Sequence, residues 1–235
     1  MEQSFLIITA ASLGFLHTLL GPDHYVPFIA ISKARNWDIK KTISITVLCG
    51  IGHVLGSIVL GLIGVFSGIA LTSIEYIESF RGSVAAWLLI GFGLVYMIYG
   101  IRKAYRNKPH KHVHFHEDGV IHEHQHNHKT GHVHVHEKQG KKKITPWVLF
   151  IIFVFGPCEV LIPLLMYPAA KGNYSVLIIS TLVFALTTII TMTGVVLISL
   201  VGFKFIQVKK FERYVHAIAG MLILICGIAV EFLGI

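Results

Sequence analysis

The chain has 235 residues, of which 54% are hydrophobic and only 14% are charged, and its formal net charge at pH 7 is +8. Its mean hydropathy of +0.70 excludes an ordinary soluble domain of this length and predicts an integral membrane protein. Membrane orientation and contact with anionic lipid account for the positive charge. We find no nucleic-acid-binding motif and expect no nucleic-acid partner.

Six apolar runs are long enough to be considered as crossings of a hydrocarbon core about 30 Å thick. The first follows four residues without a positive charge, so we expect a retained span and not a cleaved signal peptide. With six spans, the loops after the first, third and fifth share one side, which carries eighteen of the twenty Lys and Arg residues. The positive-inside rule then predicts a plasma-membrane protein with these loops in the cytoplasm and both termini outside. The predicted spans are 5–32, 43–70, 84–101, 146–170, 174–202 and 214–235.

The first span contains the sequence HTLLGPDHYVP, which places ionisable side chains inside the bilayer. A charged side chain costs about 2.5–3.5 kcal/mol at mid-membrane when it faces lipid, so such residues need partners or a function. Gly21 and Pro22 predict a kink or an unwound turn, because proline lacks the amide of the helical hydrogen bond. His17, Asp23 and His24 are therefore candidate metal ligands beside a helix break.

The second span adds a histidine in the sequence GIGHVLGS. His53 is a further candidate ligand, and Gly50, Gly52 and Gly56 allow neighbouring helices to approach closely. The alternative is a histidine that only bonds a backbone carbonyl of a neighbouring helix.

The loop between the third and fourth spans is rich in histidine and lacks the pattern of a packed core, so we expect it to be disordered. Its alternate spacing lets several imidazoles reach one borderline ion such as Ni²⁺, Co²⁺, Zn²⁺ or Cu²⁺. A pH-titrating tail and a simple spacer are the alternatives. The candidate loop ligands are His110, His112, His114, His116, His122, His124, His126, His128, His132, His134 and His136.

The same loop contains the sequence HEHQH, which fits the H-E-x-x-H motif of zinc proteases. That motif needs a stable helix to place both histidines on one face with the glutamate beside a metal-bound water. Within a tract of eleven histidines the match is expected by chance. We therefore predict that the protein is not an enzyme.

The fourth span repeats the arrangement of the first span in the sequence FGPCEVLIP. Gly156 and Pro157 predict a second helix break, and Cys158 and Glu159 supply a sulfur donor and a carboxylate beside it. Because three spans separate the two repeats, the second half would be inverted relative to the first. Paired broken helices in inverted halves indicate a central transport site.

The sequence thus predicts an all-α integral membrane protein with six transmembrane helices. They would form two inverted three-helix repeats with broken first and fourth helices. Residues 1–101 would make the first repeat, 102–145 the cytoplasmic histidine-rich loop and 146–235 the second repeat.

Charge and donor type favour a divalent transition-metal ion at the centre. Asp23 and Glu159, if ionised, balance a 2+ ion, and histidines suit first-row metals. Protons would compete with metal for the same groups, so proton-coupled exchange is the hypothesis. No Walker-type GxxxxGK[ST] loop is present, so ATP-driven pumping would need a partner subunit. We expect no prosthetic group, and the oligomeric state stays open, with a homo-oligomer as one option.

HTLLGPDH resembles the H-x4-D-H signature of the nickel/cobalt transporter families. Here five residues, not four, separate His17 from Asp23, which places His17 about 100° further round a helix unless the Gly-Pro turn absorbs the difference. The six spans and the histidine-rich loop resemble the nickel and cobalt efflux branch. FGPCEVLIPLLMYPA is similar to the Pro-Cys segment of that branch and of the wider superfamily, which includes sulfite exporters and thiol-electron carriers. The resemblance implies nickel or cobalt transport without nucleotide hydrolysis.

Three alternatives stay open at this point. A metal importer could use the loop to buffer incoming ions. An exporter of sulfite or a small organosulfur anion could use the half-helix N-termini, although carboxylates at those ends would repel an anion. A thiol-electron carrier needs two cysteines within bonding reach, and Cys49, Cys158 and Cys226 stand alone in separate spans without a CxxC pair.

Overall fold

The fold is helical throughout its apolar part, as seen in a computed structural model of the chain. The structure describes residues 2–106, 110–115, 121–126, 144–202 and 209–234, and side chains within 3–106, 145–202 and 212–234. Its helices are α1 (Glu2–Leu20), α2 (Val26–Arg35), α3 (Ile39–Ser67), α4 (Leu71–Arg106), α5 (Ile144–Phe155), α6 (Leu161–Ala170), α7 (Tyr174–Gly202) and α8 (Val215–Leu233). Short 3₁₀ turns cover Pro22–His24 and Lys209–Tyr214.

Five helices in the described part of the chain are long and apolar enough to cross a membrane: α1, α3, α4, α7 and α8. The shorter apolar helices α5 and α6 follow one another along the chain. Many large apolar side chains on these helices are exposed, as lipid contact requires. The prediction of a multi-pass, all-helical membrane protein is therefore confirmed, whereas the inverted relation of two three-helix repeats stays a prediction.

Two of the six predicted spans are interrupted near the Gly-Pro pairs. The chain leaves α1 at Leu20, makes the 3₁₀ turn Pro22–His24 and enters α2 at Val26. In the second half, α5 ends at Phe155 and α6 begins at Leu161, so the intervening residues are not α-helical. These interruptions agree with the missing proline amides, since Pro22 and Pro157 cannot continue the hydrogen-bond ladder.

The third span is longer than the hydropathy pattern predicted. We placed its start at residue 84, but α4 begins at Leu71, thirteen residues earlier. The early start was missed because the local hydropathy is lowered by three charged residues, Glu75, Glu78 and Arg81. A segment of low hydropathy is predicted as a loop. The structure instead buries the Glu78 side chain completely, so this charged turn belongs to the helical bundle.

Glycines bring the helices α4 and α8 into direct backbone contact. A Cβ at Gly220 would lie 2.2 Å from the Met97 amide nitrogen, and one at Gly100 would lie 2.2 Å from the Ala217 nitrogen. Side chains cannot fit between backbones at this separation, so small residues at the crossing are required. On the other side of the molecule, α1 packs along α7, where a Cβ at Gly14 would lie 3.1 Å from the Phe184 carbonyl oxygen.

In the histidine-rich loop the structure describes two short antiparallel strands, β1 (His110–Phe115) and β2 (Ile121–His126). Their backbones pair in a register that sets 110 opposite 126 and 112 opposite 124. The imidazole positions of all eleven predicted loop ligands lie outside the described side chains. Metal binding by the loop, its disorder elsewhere and the division of the chain into repeats stay predictions.

The contact between α4 and α8 predicts that Gly220→Ala destabilises the protein. The added Cβ would force the helices apart, and overpacking of this kind costs about 1–3 kcal/mol. We expect a lower thermal unfolding midpoint in detergent. Gly194→Ala on α7 is the control, because nothing lies within 4 Å of a Cβ there and alanine is the better helix former. Equal midpoints for the two variants would contradict the contact.

Candidate metal centre

Three imidazoles and one thiol converge halfway along α3. His53 lies fourteen residues from either end of that 29-residue helix and is buried. His17 comes from the last turn of α1, and His24 from the 3₁₀ turn that follows it. Cys158 comes from the interruption between α5 and α6 and is also buried. Both chain breaks therefore meet at the middle of the bundle, and we call these four side chains the central donor cluster.

The ligand atoms of the cluster lie close to one another. One donor atom each from His17, His53 and Cys158 lies within 4.8 Å of the other two. The Nε2 atom of His17 is 3.8 Å from the Cys158 Sγ atom, and the Nε2 atoms of His24 and His53 are 3.3 Å apart. In addition, the His17 and His24 rings meet edge to face, with their centroids 4.8 Å apart.

These separations match those of ligands around a four-coordinate metal ion. Bond lengths of 2.0–2.1 Å to nitrogen and 2.3 Å to sulfur at tetrahedral angles place two nitrogens about 3.3 Å apart and a nitrogen and a sulfur about 3.6 Å apart. The observed 3.3 Å and 3.8 Å are close to these values. Among the described residues, His17, His53 and Cys158 are thus close enough to hold one ion together, and His24 borders them through His53.

Asp23 orients His24 from the far side of its ring. The Asp23 Oδ1 atom is 3.0 Å from the His24 Nδ1 atom, which also lies 3.1 Å from the Gly21 carbonyl oxygen. Both oxygens accept, so Nδ1 carries the proton and Nε2 faces His53. Asp23 was predicted as a direct ligand, but the structure places its carboxylate where metal sites typically hold an outer partner of a ligating histidine.

His53 fits closely against the second break. A Cβ at Gly156 would lie 2.9 Å from its Nδ1 atom, and its Nε2 atom is 3.3 Å from that of His24. Because His24 carries its proton on Nδ1, a hydrogen bond between the two Nε2 atoms needs the proton of a neutral His53 on its Nε2 atom. A small cavity beside His53 is also lined by Asp23 and Pro157.

Glu159 does not join the cluster. We predicted it as a ligand because it follows Cys158, but the structure leaves its side chain exposed while Cys158 is buried. The reason is local, because adjacent residues in the turn between α5 and α6 point in different directions. Among the described side chains, the carboxylate that bonds an imidazole of the cluster is that of Asp23.

Two charged residues that sequence reasoning placed in a loop border the second break. The Glu78 carboxylate accepts the Cys158 amide proton at 2.9 Å, and Arg81 donates to the Val154 carbonyl oxygen at 2.8 Å. The signal was available in the sequence, since a glutamate and an arginine three residues apart lie on the same face of a helix. The pattern was missed because charged residues lower the mean hydropathy of the window and so favour a loop over a span.

Cys158 is the cysteine that joins the donor group in the described part of the chain. Cys49 is buried in an apolar group that includes Phe28 and Leu149, whereas Cys158 is buried in a different group with Leu161. Cys226 is buried on α8, and all three thiols are free. The donor geometry thus defines a multi-pass membrane protein with a mid-membrane histidine and thiol centre between two broken helices.

Residues 26–229 match the family described as the cytochrome C biogenesis protein transmembrane region, and the chain belongs to that family. No curated protein and no solved structure matches the chain. The match supports a membrane-protein family, whereas the resemblance to the nickel/cobalt families stays a prediction. The matched range begins after His17, Asp23 and His24, so it includes only the His53 and Cys158 part of the cluster.

The placement of Glu159 predicts a difference in reactivity between neighbouring positions. In a Cys49→Ala, Cys226→Ala background, a small membrane-permeant maleimide should not label Cys158, because protein atoms bury that thiol fully. Glu159→Cys in the same background should add one labelled site per chain. The measurement is mass spectrometry of the intact protein after labelling. Protection of position 159, or fast labelling of Cys158 in the parent, would contradict the orientation of this turn.

Proposed function

We propose that the protein is a membrane transporter of divalent transition-metal ions, with the central donor cluster as its mid-membrane binding site. The observation that carries the proposal is the convergence of three imidazoles and one thiol between two broken helices. Such side chains are costly in the bilayer unless they are paired or used, and the breaks supply the flexibility that a transport site needs.

Each residue has a role in this function. His17, His24, His53 and Cys158 replace the water ligands of the ion, and Asp23 raises the basicity of His24 through its Nδ1 proton. Imidazole and thiolate ligands suit zinc, cobalt and nickel, and nickel or cobalt stays our proposed cargo. A thiolate and the Asp23 carboxylate balance the charge of a 2+ ion.

Transport would use the two breaks as hinges. Two inverted halves that rock about the centre would open the cluster to one side of the membrane and then to the other. A hydrogen bond between the Nε2 atoms of His24 and His53 needs one proton, which a bound metal ion would displace, so a proton would return as the metal leaves. This exchange supports proton-coupled efflux, in which the cytoplasmic histidine-rich loop collects ions at a plasma membrane with both termini outside.

The rival function is the thiol-electron carrier that the sequence left open, and the family description names only a transmembrane region in cytochrome c biogenesis. Such a carrier passes electrons by forming and breaking a disulfide, which takes two sulfur atoms within about 2.05 Å of each other. Cys158 packs against a histidine, and Cys49 lies in a different apolar group. The geometry therefore favours a ligand thiol over a redox pair.

Flux into proteoliposomes tests the proposal directly. We expect wild-type protein to carry Ni²⁺ or Co²⁺ and not sulfite. We expect His53→Ala to abolish the metal flux, because His53 lies next to His24 and in one donor group with His17 and Cys158. His216→Ala is the matched control, since that histidine bonds Tyr96 and Lys103 away from the cluster. Sulfite flux without metal flux, or full metal flux in His53→Ala, would refute the function.

Asp23→Asn tests the outer contact to His24. An amide can turn its NH₂ group towards Nδ1 and destabilise the tautomer that presents Nε2 to the ion. Loss of an outer-shell partner typically lowers metal affinity about 10- to 100-fold, and we expect a decrease in this range. Titration with Co²⁺ can follow the thiolate-to-metal absorption band, which reports the cluster alone because the histidine-rich loop has no cysteine. Unchanged affinity would show that Asp23 does not orient His24.

A further inference from the structure

A buried ion pair on α4 faces the break between α5 and α6. The Glu78 side chain is fully buried, and the Arg81 side chain is only 15% exposed. The two groups bond each other across one helical turn and make further contacts to α3 and to the broken span. A charged pair at this depth needs a reason, because desolvation makes it a poor source of stability in itself.

Glu78 caps the second half of the broken span. Its Oε1 atom accepts the Cys158 amide proton at 2.9 Å and the Ser57 hydroxyl proton from α3. The Val160 position at the start of α6 has no side-chain cap of its own. In lipid no water can bond the free amides of an interrupted helix, so a partner from another helix is required.

Arg81 caps the first half. Its Nη2 atom donates to the Val154 carbonyl oxygen at 2.8 Å and approaches the Gly156 carbonyl oxygen at 3.4 Å. These carbonyls lie at the C-terminal end of α5, where helical partners are missing. A planar guanidinium can bond a carboxylate and two carbonyls together, which a lysine ammonium does with less geometric control.

Two glycines allow this arrangement to form. A Cβ at Gly56 would lie 2.6 Å from the Arg81 Nη2 atom, and a Cβ at Gly82 would lie 2.9 Å from the Pro157 ring. Because glycine has no Cβ, α3 and α4 can both pack closely against the break. The polypeptide around Cys158 is thereby fixed at its amide and at the carbonyls that precede it.

We propose that Glu78 and Arg81 are a positioning pair that holds the Cys158 thiol against His17. The pair touches no ligand atom of the cluster, and it acts through the backbone of the broken span. The consequence for metal rests on the proposed function, whereas the placement of the thiol does not. Without the pair, the turn loses its partners and Cys158 moves away from the other donors.

The test compares Glu78→Ala with Glu78→Gln in full-length protein that carries Cys49→Ala and Cys226→Ala. Glutamine keeps an oxygen for the Cys158 amide, and alanine does not. With Co²⁺ as the probe, we expect Glu78→Ala to lose the thiolate-to-metal band, to bind about 10- to 100-fold more weakly and to alkylate at Cys158 at least tenfold faster without metal. Glu78→Gln should restore most of the band.

Glu75→Ala is the matched control, because Glu75 lies one turn earlier on α4 and should leave the band and the alkylation rate unchanged. An intact band and slow alkylation in Glu78→Ala would overturn the positioning role while the metal function stands. Fast alkylation in Glu78→Ala with no Co²⁺ binding in the parent would support the positioning role and refute the metal function. If Glu78→Ala does not fold, Arg81→Lys is judged by the same two measurements.

Discussion

An interrupted helix inside a membrane exposes amides and carbonyls that water cannot reach, and this chain has two such interruptions. The first is closed by its own residues, since the Tyr25 amide bonds the Pro22 carbonyl and His24 bonds that of Gly21. The second is closed from outside by Glu78 and Arg81. The arrangement of the centre depends on how these backbone groups are satisfied. The two interruptions contain His24 and Cys158, and His17 lies in the helical turn just before the first one.

The two kinds of closure have different consequences for the donors. In the first break, His24 serves both as part of the turn and as a member of the cluster, so its Nδ1 atom is fixed by the backbone that it helps to close. In the second break, Cys158 contributes only its backbone to the closure, since its amide donates to Glu78 and its carbonyl oxygen accepts from the Leu161 amide, and its thiol stays free to meet His17. The first turn thus fixes the ring of His24 directly. In the second break, α4 fixes the backbone of Cys158 and so places its thiol.

The sequence predicted members of the cluster where a metal-binding residue type lies beside a helix break. The predictions were wrong where the orientation of a side chain in the turn determines whether it faces the cluster. The Gly-Pro pairs marked the regions that hold His17, His24 and Cys158, and the 3₁₀ turn brings His17 to His24 despite the extra residue before Asp23. Spacing alone could not show that Asp23 contacts Nδ1, since this depends on the dihedral angles of the turn.

The failures have a common physical origin. Glu159 was predicted from its neighbour Cys158, yet a turn directs adjacent side chains apart. Glu78 and Arg81 were missed because a hydropathy average counts each charge as exposed, whereas these charges neutralise each other and bond the backbone of another span. Partners that lie about eighty residues apart, as Glu78 and Cys158 do, leave no local pattern that a single sequence can reveal.

Membership of the family fixes the membrane fold more firmly than it fixes the chemistry, because function is set by the side chains placed on a fold. The matched range begins after the first break, so it contains the positions of His53 and Cys158 but not those of His17 and His24. A lone thiol beside one imidazole leaves several chemistries open. A second imidazole near the thiol and a third beside it narrow the possible chemistries, because disulfide exchange needs a second sulfur atom and a metal ion needs several donors.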